Sequence, residues 1–238
     1  MESILEVTKV SKHFGGFTAL SGVDLEVKTG ERLGLIGPNG SGKTTLINCI
    51  SGSLFNDEGA IRFKGQPIGK LPAHKRTRLG IARSFQIPRP FSSMSMLENL
   101  LVPLSYVSGI TGAEAEAKAY EILEDMGLKQ KALVPTNQLS QVELRKMELA
   151  RAMAAHPSLL ISDEAMAGLS GAEVDEVLQI LFDMNSRGIT IIMIEHIMQA
   201  VMSFSQRVVC LDAGQIICQG TPKEVVANPH VQRAYLGD

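Results

Sequence analysis

Cysteine occurs only three times in these 238 residues, at Cys49, Cys210 and Cys218. The count is odd and the spacing wide, so neither a disulfide framework nor a metal-ligand cluster is expected. The three read as small buried hydrophobes in a reducing compartment. No apolar run approaches the roughly 18 residues that a membrane-spanning helix needs. Residues 1–10 carry no basic stretch followed by an apolar one, so no secretory leader is expected. Neither sign of charge predominates: 23 Lys and Arg stand against 25 Asp and Glu, a formal net charge of −2. That balance argues against a broad nucleic-acid interface, which needs a basic face, and the local cluster Lys75, Arg76 and Arg78 reads as a solvated helix face. Long polar tracts, proline-rich stretches and like-charge blocks are also missing, so no segment reads as disordered.

What is present is a 45% hydrophobic chain, long enough to bury a large core in one or two lobes. Short continuous apolar runs recur at Arg32–Ile36, Leu159–Ile161, Ile189–Ile194 and Val208–Leu211. Such runs suit strands buried on both faces, as in a parallel sheet. Helical patterns alternate with them. After Ser170, residues Val174, Val177, Leu178, Leu181 and Phe182 share one face, and Ser170 with Glu173 makes a capping box. The N-terminal segment differs: Leu5–Val10 and Val23–Val27 alternate apolar with polar, as half-exposed antiparallel strands do. From about Pro88 to His156 no strand is expected. There Ala115, Ala119, Ile122, Leu123 and Met126 share a helical face, and a second helix follows Ser140.

The strongest chemical signal is Gly37-Pro38-Asn39-Gly40-Ser41-Gly42-Lys43-Thr44-Thr45. It satisfies the pattern G-x-x-x-x-G-K-[ST], follows the apolar run Leu33–Ile36 and precedes the amphipathic pattern Leu46, Ile47, Ile50. Glycines let the backbone wrap so that successive N–H groups point at phosphate oxygens, and the helix N-terminus adds positive partial charge. Lys43 is then expected to reach the β- and γ-phosphates, and the Thr44 hydroxyl to ligate Mg²⁺. A second signal is the apolar run Leu159–Ile161 ending at Ser162-Asp163-Glu164. Beside a phosphate loop, Asp163 suits the Mg²⁺ shell and Glu164 suits a general base on an attacking water.

In this order and over the whole chain, these motifs resemble the nucleotide-binding domain of ABC transporters. The resemblance implies an α/β P-loop NTPase core with a mainly parallel sheet, an N-terminal antiparallel β subdomain and an inserted all-helical subdomain. Residues 1–238 would be one such domain, with 1–87 and 157–238 as the catalytic lobe and 88–156 as the helical lobe. It also implies roles. Phe14, within Lys12–Gly16, matches the aromatic that stacks on adenine. Gln86, closing Ile81–Gln86, matches the glutamine that touches the metal and reports the γ-phosphate to the membrane partner. Ala167–Ser170 falls where the family's dimer-contact loop lies, and His196 matches the switch histidine on the γ-phosphate. Catalysis would then rest on Lys43, Glu164 and His196, with ATP and Mg²⁺ as cofactors.

One motif departs from the family. Leu139-Ser140-Gln141-Val142-Glu143 stands where the family has Leu-Ser-Gly-Gly-Gln, a helix start that points across a dimer at the other subunit's γ-phosphate. Val142 in place of glycine would crowd that phosphate. Glu143 brings a repulsion on the order of 2–4 kcal/mol at about 4–6 Å, unless it turns back to the Ser140 backbone as a capping partner. The expectation is a subunit that lends its partner a weakened signature while its own loop stays intact. Ala165, where the family usually has proline, should matter little.

The implied partners are a second ATPase subunit in a homo- or heterodimer, polytopic membrane permease subunits and, indirectly, an extracytoplasmic solute-binding protein. No nucleic-acid partner is expected, and the implied location is the cytoplasmic face of the membrane. Phe91, Met94, Met96 and Leu97 are candidate contacts for a short helix of the membrane subunit. The stretches Phe85–Leu100, Asp163–Leu169, Glu195–Met198 and Asn228–Gly237 look like branched-chain amino-acid uptake ATPases and their urea and amide relatives. Lipopolysaccharide-export ATPases end similarly, so an export-type or regulatory subunit with little hydrolysis at one site is the alternative.

Overall fold

Strand and helix alternate along the chain as the apolar periodicities predict. The computed structural model describes residues 2–85 and 90–236. It begins with β1 (Ser3–Phe14), β2 (Phe17–Lys28), β3 (Arg32–Ile36) and α1 (Lys43–Ser51). There follow β4 (Glu58–Phe63), β5 (Gln66–Pro67), α2 (Ala73–Arg78) and β6 (Ile81–Ser84). Three helices come next, α3 (Met96–Tyr106), α4 (Gly112–Asp125) and α5 (Gln141–Ala154). Then come β7 (Leu159–Asp163), α6 (Gly171–Ser186), β8 (Thr190–Ile194), α7 (Met198–Phe204), β9 (Arg207–Asp212), β10 (Gln215–Gly220), α8 (Pro222–Ala227) and α9 (Pro229–Leu236).

Two sheets result. β1, β2, β4 and β5 form an antiparallel sheet in the order β2-β1-β4-β5, with Val7 opposite Leu25 and Val10 opposite Val23. The other sheet has the order β10-β9-β3-β8-β7-β6, parallel throughout except for the edge strand β10. Its strands bury both faces. Leu33, Leu35, Leu159, Ile161, Ile192, Ile194, Val209 and Leu211 pack with α1 and the antiparallel sheet. Leu160, Ile191, Met193, Val208 and Cys210 pack with the helices on the opposite side. A two-residue side-chain period with both neighbours apolar is why these strands read as unbroken hydrophobic runs.

Among the described residues between 90 and 156 there is no strand, only an isolated bridge between Ser95 and Pro135. Ala115, Ala119, Ile122, Leu123 and Met126 are all buried, as their spacing predicts. Helix starts follow side-chain chemistry: Ser95 with Glu98, Ser140 with Glu143, Ser170 with Glu173 and Thr221 with Glu224 all form capping boxes.

Three sequence expectations are corrected. Arg76 is not solvated. It is fully buried on α2 and donates to the carbonyls of Cys49 and Ile50 at the end of α1, and to those of Leu71 and Gly69. A guanidinium's fixed fan of donors can satisfy several helix-end carbonyls that have no partner within the helix. Cys218 is only half-buried; it lies across the β9–β10 ladder from Cys210 and accepts a hydrogen bond from Asn228. Met96 and Leu97 belong to the buried core, which leaves Phe91 as the exposed member of the predicted membrane-contact group.

Candidate functional site

Register alone brings the predicted residues together. β8 lies between β3 and β7, with Ile194 beside both Leu35 and Asp163. The loop after β3, the acidic pair at the end of β7 and the Glu195–His196 pair after β8 therefore emerge side by side at the carboxyl edge of the parallel sheet. That edge is where α/β sheets bind their ligands.

The glycine-rich segment makes a tight cradle into α1. Gly37, Gly40 and Gly42 all have positive φ, at 150°, 79° and 105°. A Cβ on Gly37 would lie 2.0 Å from the Leu211 carbonyl oxygen, and one on Gly42 would lie 2.7 Å from that of Ala19. Only glycine allows this path. Gly42 caps α1 without a side-chain bond, and no acidic residue sits in the first turn. The first amides of α1 thus present the positive end of the helix without a competing carboxylate from that turn. Lys43, 7% exposed, folds back so that Nζ donates to the Gly37 and Pro38 carbonyls at 2.7 and 3.0 Å. Burial lowers its pKa, against the opposing pull of Glu164, Cys210 and Asp163.

Thr44, Asp163 and Glu164 line one cleft of about 790 Å³. Glu164 has φ 49°, in the left-handed region, and its amide donates to the Ile194 carbonyl at 2.9 Å. The carboxylate then meets His196: Oε1 and Nε2 are 3.0 Å apart. A carboxylate and an imidazole able to orient one another are therefore in contact at the edge where the cradle opens.

Residues that the sequence reading left unassigned support this edge. Arg83 on β6 donates to Asp163 Oδ2 and to Asn48 Oδ1 of α1, both at 2.6 Å, and so ties the acidic strand end to the cradle's helix. Glu195 is buried and accepts the Met166 N–H at 2.9 Å. Burial, reinforced by the nearby Glu164 charge, pushes its pKa up to about 7. Arg145 of α5 and Gln141 both donate to the Ala167 carbonyl at 3.2 Å, so α5 and the loop 165–170 hold one another. No local motif announces these contacts, which join residues 22 to 80 positions apart.

The remaining predicted residues are placed as follows. Phe14 is at the tip of the β1–β2 hairpin, 47% exposed, with Lys12 Nζ 5.5 Å from its ring centre. It is therefore not a core residue. Farther along that hairpin, Ala19 and Leu20 pack against Gly42. Gln86 lies outside the described residues. At the altered signature, Glu143 does turn back: its carboxylate accepts the Ser140 N–H at 3.0 Å and pairs with Lys131 at 2.5 Å. The Lys131 bond and then the Ser140 backbone lower its pKa. Val142 packs half-buried against the helical core.

A family model described as ABC transporter matches residues 20–167. A second, described as branched-chain amino acid ATP-binding cassette transporter, matches residues 215–238. The chain is 37% identical to the high-affinity branched-chain amino acid transport ATP-binding protein BraF of Pseudomonas aeruginosa, over 99% of this chain and 98% of that protein. Its fold is similar to the ADP conformation of an ATP-binding cassette of an ABC transporter, with TM-score 0.92, 32% identity and full coverage of both chains. It is also similar to a dimeric ATP-binding cassette in a post-hydrolysis state bound to ADP and Pi, with TM-score 0.82 and 26% identity over 92% of this chain and 98% of that one.

Proposed function

The chain belongs to the ABC transporter family as an ATP-binding subunit and ATPase, and from that premise we propose that its site couples Mg-ATP binding and hydrolysis to branched-chain amino-acid import. The single observation that carries the catalytic reading is the 3.0 Å contact of Glu164 with His196 beside the Lys43 cradle.

The backbone of residues 37–45 and the Lys43 ammonium hold the β- and γ-phosphates, and Phe14 stacks on adenine. To do so Lys43 exchanges the Gly37 and Pro38 carbonyls for phosphate oxygens, a trade of neutral for charge-assisted hydrogen bonds. Thr44 and Asp163 supply the oxygen donors that suit Mg²⁺, which keeps few protein ligands and leans on substrate phosphates; Gln86 completes the set. The ion's contribution is to neutralise charge on the phosphate oxygens. Glu164 accepts a proton from the attacking water, and His196 orients that carboxylate and stabilises the γ-phosphoryl group.

The catalytic lobe comprises 1–87 and 157–238 and the helical lobe 88–156. In a dimer with a second ATPase subunit, Ser140, Gln141, Val142 and Glu143 of this chain cap the nucleotide held by that partner, and the partner's own signature caps the nucleotide at Lys43. The cleft that holds Thr44 and Asp163 runs on past Phe85, Phe91, Val102 and Tyr106, an apolar lining suited to a short helix of a membrane permease. The subunit therefore works at the cytoplasmic face of the membrane. Amino-acid cargo follows from the likeness to BraF and from the match over residues 215–238.

Vesicles rebuilt with the permease, the partner ATPase and the binding protein should take up leucine only when supplied with Mg-ATP, and Glu164→Gln should stop uptake while leaving ATP bound. Hydrolysis without uptake of any branched-chain amino acid would remove the cargo reading. Uptake that survives Glu164→Gln would remove the catalytic one.

A further inference from the structure

The catalytic reading makes no use of the C-terminal helix, yet α9 touches the phosphate loop. The Tyr235 hydroxyl accepts the N–H of Gly37 at 2.7 Å, a contact between residues 198 apart. Gly37 opens the loop, and the 2.0 Å clearance to Leu211 leaves it no side chain with which to fix its own orientation. Its path is set by what its two peptide groups bind. The N–H goes to Tyr235, and the carbonyl accepts Lys43 Nζ at 2.7 Å. The phenol and the loop's ammonium thus hold opposite sides of one glycine.

The segment carrying Tyr235 is docked. Val225 and Val231 are buried in the helical-side core, and Asn228 donates to Cys218 of β10 at 3.2 Å. Thr221 and Glu224 cap α8 immediately upstream. Burial pushes the Tyr235 pKa up, so the phenol stays neutral near pH 7 and its oxygen remains an acceptor. Tyr235 as a whole is 43% exposed, and its hydroxyl is the group that meets the loop.

We propose that Tyr235 is a positioning residue for nucleotide binding, its hydroxyl fixing the entrance of the phosphate loop through the Gly37 amide. The inference deepens the ATP reading of the same loop and rests on it. Removal of the oxygen leaves that N–H without its acceptor, and the loop relaxes away from the shape that aims its amides at phosphate.

The test compares the full chain with Tyr235→Phe and Tyr235→Ala, by calorimetric titration with Mg-ATP and by steady-state hydrolysis in the assembled transporter. Tyr235→Phe should raise Kd and KM about three- to tenfold, with kcat within about twofold, as expected when uniform binding is lost. Its melting temperature should stay near that of the wild type, and Tyr235→Ala should weaken binding by about the same factor as Phe. If Phe binds Mg-ATP like the wild type, or if it lowers kcat and melting temperature with KM unchanged, the tyrosine only packs and the inference fails. A wild-type chain that binds no Mg-ATP would instead remove the reading of the loop on which the inference stands.

Discussion

Glu164 holds a backbone conformation that costs a non-glycine residue roughly 1–3 kcal/mol, and its φ of 49° turns the chain where strand β7 gives way to loop. The bond from its amide to Ile194 secures that turn, and the carboxylate reaches His196. As the proposed base, Glu164 would serve the chemical step rather than binding. Glu164→Gln should lower kcat by about 10²-fold or more with Mg-ATP affinity retained, read by phosphate release beside equilibrium binding; an equal loss of affinity would contradict the role. Glu195, at the end of the strand beside the one that leads into the cradle, makes a prediction about stability. Its folded pKa of about 7 exceeds the ordinary 4.5, so between those values the native chain holds the proton more tightly than the unfolded chain. Stability must therefore fall as pH rises through that window. Glu195→Gln keeps an acceptor for Met166 and removes the titration. The melting temperature of the variant minus that of the wild type should grow from pH 5 to pH 8, whereas a constant difference would show that Glu195 does not titrate there.

At the scale of elements, α1 is held at both ends. Its start is the glycine cradle; its end is capped by Arg76, a buried cation bonded to main-chain carbonyls of α1 and of the segment before α2. Arg76→Met should keep the volume, leave those carbonyls without donors and destabilise the chain by about 2–4 kcal/mol, measured by denaturant unfolding. A change under about 0.5 kcal/mol would show that water replaces the guanidinium. Arg76 also marks the limit of what the sequence discloses. Periodicity exposes which face of an element is buried, and so β3, β7, β8, β9 and the stripe of α6 are legible from their own residues. Capping boxes are legible because both partners lie within one turn. Which element covers a buried face is a long-range fact. A basic cluster of three looked solvated because nothing local shows that the end of α1 lies over Arg76. The links Arg83–Asp163 and Tyr235–Gly37 escaped for the same reason, being 80 and 198 residues apart. The phosphate loop, by contrast, was fully readable, because its strand, turn and helix are consecutive.

For the whole molecule, the altered signature bears on how two subunits share work. Glu143 is neutralised by Lys131 and bound to the Ser140 amide, which softens the repulsion expected from its charge, while the glycine that would allow close approach is still replaced by Val142. On the proposed reading, and with a partner that keeps both glycines, this chain would offer its partner a poorer cap than it receives. In a heterodimer, Lys43→Ala should abolish most ATP hydrolysis, and the matching lysine substitution in the partner ATPase should leave a larger residue of activity. Equal losses would mean that both sites turn over alike. All of this presupposes that residues 37–45 grip a triphosphate. Calorimetric titration of the purified chain with Mg-ATP, wild type beside Lys43→Ala, tests that directly. Saturable binding that weakens by about 100-fold or more on loss of the ammonium is the predicted result, and equal affinity of the two proteins would contradict it.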